Sequence, residues 1–156
     1  MAGDLPSFEI HLALQEVDTY DLRQRVSADG IVLPTWHHEL DDIPGARYLG
    51  ARTVDGRVIG TASLYPAPFP NLPDVVPALR LMFMAVEPEL QHLGIGSALM
   101  GSIVQELQAR NVRILWATAR DVAIPFYRRF GFIVGEPSLA APNSRPHHYL
   151  HLPLSP

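Results

Sequence analysis

Apolar residues recur at every second position in parts of the first half of the chain, the pattern of strands with one face in a core. Phe8–Leu14 alternates Phe, Ile and Leu with Glu, His and Ala, and predicts a half-buried strand. Residues 47–54 and 57–65 are two further strand-like segments. They are joined by Asp55-Gly56, a pair that favours the positive φ of a tight turn. The sequence therefore predicts an antiparallel hairpin here.

The second half of the chain alternates between strand-like and helix-like patterns. Residues 79–86 are apolar on both faces, which is typical of a central strand covered on both sides. A single apolar stripe predicts a helix over 97–110, ended by Asn111 in a left-handed conformation. A strand over 112–117 follows, and then a second helix whose N-terminus Asp121 is expected to cap.

Less regular segments separate these elements. Residues 18–27 space apolar side chains four apart and predict a short amphipathic helix. Three proline-interrupted stretches are predicted to be loops: 31–44, which includes a helical turn, 65–77, which holds five prolines, and 137–146. Residues 148–154 alternate again and predict an edge-like final strand. This order of elements predicts a mixed sheet with helices on its faces.

Composition limits the chemistry and the partners of the chain. With 156 residues it fits one domain, 1–156, that buries a core of its own. It has no apolar run of 18 residues and no signal-peptide pattern, so we expect a soluble, cytoplasmic protein. The lack of cysteine excludes disulfides, thiolate metal sites and a cysteine nucleophile. A net charge of −4, with scattered arginines and no lysine, argues against nucleic-acid binding.

Two glycines at a strand-to-helix junction form the most informative motif. Residues 91–96, Gln-His-Leu-Gly-Ile-Gly, lie between the predicted central strand and the helix after it. Glycines at such a junction let backbone N–H groups converge at a helix N-terminus, an arrangement that binds phosphate. A Rossmann pattern does not fit, because Leu99 occupies the place of its third glycine, and no P-loop Gly-Lys-Ser/Thr follows. We interpret the segment as a pyrophosphate-binding turn.

The pattern Gln-x-x-Gly-x-Gly at 91–96 resembles the acyl-CoA-binding signature of the GCN5-related N-acetyltransferase (GNAT) family. A second segment, Phe126-Tyr127-x-x-x-Gly131-Phe132, resembles that family's second motif at the expected distance. The resemblance implies a single α/β (α+β) domain with a mixed, mostly antiparallel sheet and helices on both faces. Its central parallel strand pair would splay apart, and the pantetheine arm of acetyl-CoA, the co-substrate, would bond along the gap like an added strand.

The same resemblance implies which residues bind CoA. Backbone groups of the strand before the turn would contact pantetheine, and amides of the turn would hold the pyrophosphate. Leu93 stands where relatives often carry a basic residue, and Thr118 where an asparagine commonly meets pantetheine. No metal is expected, because the histidines at 147–151 lack a carboxylate or cysteine at helical spacing. The expected CoA-binding residues are Met84, Ala85, Val86, Gln91, His92, Leu93, Gly94, Gly96, Ser97 and Thr118.

Tyr127 is the expected catalytic residue. The second motif aligns it with the residue that gives a proton to the departing CoA thiolate in GNAT enzymes. A phenol, with an ordinary pKa near ~10, keeps its proton at neutral pH and suits this role. The alternative is a core tyrosine flanked by Phe126 and Phe130.

The base is less defined, because residues 80–86 lack the glutamate that many family members carry there. Glu87, His37 and His38 are the candidates, and the alternative interpretations are a solvated strand-end glutamate and surface histidines. Three arginines either reach the phosphates of the cofactor or form a solvated helix face: Arg120, Arg128 and Arg129.

The function implied is transfer of an acetyl group from acetyl-CoA to a primary amine of a small molecule or protein, by direct attack in a ternary complex. Two alternatives are a CoA-binding sensor or partner module without catalysis, and an enzyme for a longer acyl donor. No nucleic-acid or membrane partner is expected, and a homodimer stays open. The acceptor is not specified, because its groove would be built by the loops at 31–44, 65–77 and 137–146.

Overall fold

The computed structural model describes residues 4–27, 36–138 and 147–155. Parts of two predicted loops, 31–35 and 139–146, lie outside these described residues. The chain divides into two compact units, one containing residues 1–65 and 83–103 and the other 66–82 and 104–156. No helix in the described ranges is both long and apolar enough to cross a membrane.

Seven strands form one mixed sheet. Its strand order is β1-β2-β3-β4-β5-β7-β6, with β4 and β5 as the parallel pair. This is the predicted α/β fold with a mostly antiparallel sheet. The strands are β1 (Phe8–Leu14), β2 (Arg47–Thr53), β3 (Val58–Pro66), β4 (Ala78–Val86), β5 (Ile114–Ala119), β6 (Ile133–Ser138) and β7 (His147–Pro153).

In the first unit, β1, β2 and β3 pair antiparallel, as the alternation predicted. Gly56 has φ +93° at the turn of the β2–β3 hairpin, which confirms the Asp55-Gly56 turn. Gly50 on β2 allows β3 to approach closely: a Cβ there would lie 2.5 Å from the carbonyl oxygen of Gly60. A side chain at position 50 would therefore force the two strands apart.

In the second unit, β4 and β5 pair in parallel over three residue pairs, from Ala78↔Ile114 to Arg80↔Trp116. β7 pairs antiparallel with both β5 and β6, so the prediction of an edge-like final strand is wrong. The edge belongs to β6, which the sequence analysis missed because Pro137 resembled the start of a loop. An edge strand tolerates proline, because one row of its N–H groups has no ladder partner.

The helix predicted over 97–110 is confirmed as α2 (Ile95–Ala109). Of its predicted apolar stripe, Met100, Ile103 and Leu107 are buried and Val104 is half-buried, and Asn111 ends the helix with φ +59°, as expected. Gly101 lies mid-helix on the exposed side, where an added Cβ would have nothing within 4 Å. The buried stripe consists of Leu99, Met100, Ile103 and Leu107.

The second predicted helix is α3 (Ile124–Arg129), preceded by a 3₁₀ turn at Asp121–Ala123. Pro125 lies in its first turn, where no N–H is needed. The predicted cap is wrong: no side chain in the described part of the chain caps either segment, and a carboxylate oxygen of Asp121 instead lies 3.1 Å from Nε2 of His148.

Residues 18–27, which were predicted to form an amphipathic helix, are helical but irregular. A 3₁₀ turn (Glu16–Thr19) leads into one α-helical turn, α1 (Tyr20–Leu22), and a π-helical segment (Arg23–Ser27). The helical turn expected within 31–44 is a 3₁₀ segment at Glu39–Asp42.

Candidate functional site

The predicted phosphate-binding turn has two residues in the left-handed region. His92 has φ +65° and Gly94 has φ +94°, so the chain bends sharply before α2 begins at Ile95. The first amide of the helix to donate backward is that of Ala98, to the carbonyl of Gly94 at 2.9 Å. Among the described residues, no backbone carbonyl accepts from the N–H groups of 92–97. A helix start leaves such donors unpaired, and they attract anions.

Apolar packing fixes the position of this turn. Ile95 is buried with Ala51 and Ile59, and the side chain of Leu93 packs against the same cluster. Leu93 therefore anchors the turn through apolar packing. His92, Gly94 and Ser97 are exposed.

The strand before the turn is distorted. Phe83 has φ +53°, a conformation that is uncommon for a bulky residue and that distorts β4 just before Met84. After it, Ala85 is buried and Val86 is half-buried. Gln91 donates from Nε2 to the carbonyl oxygen of Val86 at 3.2 Å, which ties the turn to the end of the strand.

Glu87 is neither solvated nor positioned as an available base. It is 3% exposed and accepts two hydrogen bonds from Arg25, at 2.6 and 2.8 Å, and Arg57 lies 3.2 Å away. The hydrogen bonds from Arg25 hold the pKa of Glu87 below its ordinary value. Because a lower pKa makes a weaker base, the carboxylate acts here as an ion-pair partner.

The two candidate histidines have different roles. His38 accepts the N–H of Leu40 on Nδ1 at 3.1 Å, so it caps the 3₁₀ turn that follows it. His37 bonds through Nδ1 to Glu16 at 2.7 Å and through Nε2 to Asp42 at 2.9 Å. The bond to Glu16 raises the pKa of His37. Of the two, only His37 has a carboxylate on each ring nitrogen.

A buried charged network lies beside Phe83 and was not predicted. Arg23 and Asp41 have side chains that are 2% and 0% exposed and pair through two hydrogen bonds, at 2.7 and 3.0 Å. The hydroxyl of Tyr65 donates to the same carboxylate at 2.6 Å, and the guanidinium of Arg23 lies 4.4 Å above the ring of Phe83. Burial alone would raise the pKa of Asp41, but these hydrogen bonds hold it well below the ordinary value. No spacing signal in the sequence marked this pair.

Tyr127 lies on α3 and is 8% exposed. Its ring packs edge-on against Phe126 and Phe132, with centroids at 5.5 and 5.1 Å. Burial raises the pKa of Tyr127 to about 12. The phenol is therefore protonated at every physiological pH, in surroundings that also fit the core-tyrosine alternative.

Thr118 lies on the face of β5 that also carries Trp116, because alternate residues of a strand point to one side. Its partner across the ladder is Tyr149 of β7. On the same face, Arg80 of β4 is paired in register with Trp116 and stacks on its ring at 4.9 Å. The sequence analysis did not single out Arg80.

The three arginines proposed for the phosphates divide into two groups. Arg128 and Arg129 are exposed at the end of α3, and Arg129 lies 5.8 Å from the ring centroid of Phe126. Arg120 is half-buried, at the residue before the 3₁₀ turn.

A glycine turn at the start of a long helix, after a strand that pairs in parallel with the strand following that helix, is the geometry that the GNAT resemblance implied. A family model described as the acetyltransferase (GNAT) family matches residues 16–132, most of the chain. The chain belongs to the GNAT family. No curated protein sequence matches it significantly.

Solved GNAT structures share the fold over nearly the whole chain. The ribosomal-protein-S18-alanine N-acetyltransferase from Escherichia coli is 22% identical, with a TM-score of 0.68 over 96% of each chain. A phosphinothricin acetyltransferase from Sinorhizobium meliloti, in complex with AcCoA, is 20% identical, with a TM-score of 0.70 over 95% of this chain and 89% of that one. A GCN5-related N-acetyltransferase from Kribbella flavida is 20% identical, with a TM-score of 0.69 over 94% and 98%. At these identities the likeness concerns the fold.

Proposed function

We propose that the chain is a single-domain, acetyl-CoA-dependent N-acetyltransferase that acylates a primary amine of a small molecule or protein. The observation that carries this proposal is the turn at 91–97, where two left-handed residues precede unpaired amides at the start of a 15-residue helix. Membership of the GNAT family supports it, as does the AcCoA bound to the phosphinothricin acetyltransferase of the same fold.

In this proposal the cofactor is held mainly by backbone groups. The amides of the turn bind the pyrophosphate, because an anion is favoured at a helix N-terminus. The end of β4 and Thr118 contact pantetheine, and Gln91 positions the turn through its bond to Val86. The residues assigned to the pyrophosphate are His92, Leu93, Gly94, Gly96 and Ser97, and those assigned to pantetheine are Met84, Ala85, Val86 and Thr118.

The reaction requires the amine nitrogen to attack the thioester carbonyl carbon, to lose a proton to solvent water, and to displace CoA as its thiolate by cleavage of the C–S bond. Holding the two reactants together supplies most of the rate, since effective molarities reach about 10⁵ M or more. The departing thiolate needs a hydrogen-bond donor, and we assign this role to Tyr127. With a pKa of about 12 its phenol is a weaker acid than a thiol, whose ordinary pKa is about 8.5. Tyr127 therefore stabilises the thiolate by a hydrogen bond rather than by complete proton transfer.

CoA binding tests the turn directly. Gly94→Val should lower the affinity for CoA by about tenfold or more, because a β-branched residue does not adopt φ +94° and the amides would turn away. Gly101→Ala is the matched control on α2, the helix that follows the turn, where space is open, and it should leave the affinity unchanged. Calorimetric titration with CoA measures both. Equal affinities for the two variants would contradict the assigned turn.

Catalysis is tested separately, by free thiol released from acetyl-CoA in the presence of a panel of primary amines. Tyr127→Phe should reduce acceptor-dependent release at least about tenfold, because the hydrogen bond to the developing thiolate is lost. CoA affinity should stay within about twofold, because the ring and its packing are kept. A wild-type protein that binds CoA but releases none with any amine would instead be the non-catalytic module.

A further inference from the structure

The side chain of Arg80 is unusual for a charged residue in the middle of a sheet. It lies on β4, in the parallel pair with β5, and is half-buried. Its guanidinium lies 4.9 Å from the centroid of the Trp116 ring, and Trp116 is 4% exposed. One face of the cation is therefore held by an aromatic ring that is fixed in the core.

Arg80 has no countercharge among the described residues. No carboxylate lies within 4 Å of it, and its buried Nε has no hydrogen-bond acceptor there. Loss of hydration lowers the pKa of Arg80, and among the described residues Tyr149 partly counteracts this. Buried charges in folded proteins are ordinarily paired, because removal from water is otherwise uncompensated.

The surroundings are rigid and aromatic. Phe69 packs on Trp116, Tyr149 and His151, with ring centroids at 5.6, 6.1 and 4.8 Å. Nε1 of Trp116 donates to the carbonyl of Ala67 at 2.9 Å, which fixes the indole that carries the cation. Burial lowers the pKa of His151, so its imidazole is neutral at pH 7 and adds no second positive charge.

A guanidinium stacked by its face keeps its N–H edge for ligands, and that edge matches the two oxygens of a carboxylate. We propose that Arg80, oriented by Trp116, binds a carboxylate carried by the acceptor amine, so that the acceptor is an amino acid or a similar amino carboxylate. This proposal rests on the proposed acetyltransferase function and names its substrate class. The low-polarity surroundings make the charge pair stronger than it would be in water.

Matched acceptor pairs test the proposal. Thiol release from acetyl-CoA is measured with ω-amino acids of increasing length, from glycine to 6-aminohexanoate, and with the corresponding primary amides. We expect kcat/KM to favour the acid over its amide by about tenfold or more at one or two chain lengths, as a charged bidentate hydrogen bond allows. The best length measures how far the carboxylate site lies from the thioester.

Variants at Arg80 test whether its guanidinium causes the preference for the acid over the amide. Arg80→Met should reduce the acid-to-amide ratio to about twofold or less, and Arg80→Lys should keep only part of it, because an ammonium lacks the planar fork. Arg113→Met, an exposed arginine of the same unit, is the matched control and should keep the wild-type ratio. A wild-type enzyme that acetylates acids and amides equally would overturn the carboxylate site while leaving the acetyltransferase function intact.

A binding measurement separates the two proposals. In a Trp36→Phe background Trp116 is the only tryptophan, so its fluorescence reports on the guanidinium stacked on it. Titration with 4-aminobutyrate should change that fluorescence, titration with 4-aminobutanamide should not, and Arg80→Met should abolish the difference. A larger response to inorganic phosphate than to the amino acid would overturn the carboxylate assignment. If no amine supports thiol release, the proposed acetyltransferase function is contradicted. The assignment of Arg80 to an acceptor site is then contradicted as well, whatever the fluorescence shows.

Discussion

Two arginines of this protein, Arg23, which is buried, and Arg80, which is half-buried, compensate for the loss of hydration in different ways. Arg23, in the first unit, donates to both oxygens of Asp41 and also to Ser63 and Tyr65, at 2.7 to 3.1 Å. Arg80, in the second unit, has a tryptophan ring but no carboxylate among the described residues. In both, Nε is buried without an acceptor, so the difference lies in the terminal nitrogens.

This difference distinguishes an arginine that holds elements of the fold together from one that is available to bind a ligand. A buried cation whose terminal nitrogens are satisfied within the chain holds elements together, and here Arg23 joins the N-terminal helical segment to β3 and to the Glu39–Asp42 turn. A cation that is partly removed from water without a countercharge costs free energy in the unliganded protein. Natural sequences tolerate such a cost mainly at functional sites. Removing each charge in turn tests this distinction.

The largest effect is expected from Asp41→Asn. The substitution keeps the shape but leaves Arg23 buried beside a neutral amide, and breaking a buried pair in this way costs about 3–5 kcal/mol. The measurement is the free energy of unfolding from urea denaturation. Asp42→Asn is the matched control: its carboxylate is exposed, so a change within about 0.5 kcal/mol is expected. A similar loss for both variants would mean that burial of Asp41 is not what matters.

The same pair predicts how stability depends on acidity. The pKa of Asp41 is lower in the folded protein than its ordinary value of 3.8, so the unfolded chain takes up the proton first as pH falls. The stability difference between wild type and Asp41→Asn should therefore be complete above about pH 5 and shrink progressively below pH 4. Urea titrations at several pH values measure it. A difference that stays constant down to pH 2 would contradict the lowered pKa.

Glu87→Gln should give an intermediate loss, of about 1–2 kcal/mol, because charge-assisted hydrogen bonds to a buried carboxylate are lost. The loss is smaller than for Asp41 because Arg25 is 41% exposed and can be rehydrated. Glu89→Gln is the control, since Glu89 also contacts Arg57 but is 59% exposed. Urea denaturation compares the two, and thiol release should fall no more than stability explains if Glu87 is not the base.

Much of the fold could be predicted from the sequence, because its elements depend on local patterns. Alternation located β1 and the β2–β3 hairpin, and the stripe of α2 followed from 3.6-residue periodicity. The position of β7 between β5 and β6 could not, because a strand's neighbours depend on non-local pairing. β6 could not be predicted either. Its Pro137 is compatible with a strand at the edge of a sheet, and only the sheet order shows that β6 is such an edge.

The residues of the candidate site also differ in whether the sequence alone could predict them. The glycine turn was accessible because a backbone that needs φ +94° restricts the residue type, so Gly94 is visible in the sequence. The distortion at Phe83, the Arg23–Asp41 pair and the stacking of Arg80 on Trp116 join residues that are distant in sequence or carry no conformational signature. Charge pairs across 18 positions have no characteristic spacing. These contacts can therefore be recognised only in the folded structure.

The smallest effect on stability is expected at Arg80. Arg80→Met removes a half-buried charge whose buried Nε has no acceptor among the described residues, a gain of about 1–3 kcal/mol, and loses a cation–π contact worth about 0.5–2 kcal/mol. These nearly cancel, so the free energy of unfolding should change by less than about 1 kcal/mol. Arg23→Met is the comparison, and it should cost about 3–5 kcal/mol because Asp41 is left buried without its cation. Urea denaturation of both variants measures the two changes in the free energy of unfolding. If Arg80→Met were as destabilising as Arg23→Met, the guanidinium at position 80 would be a structural element, and the carboxylate site would lose its physical basis.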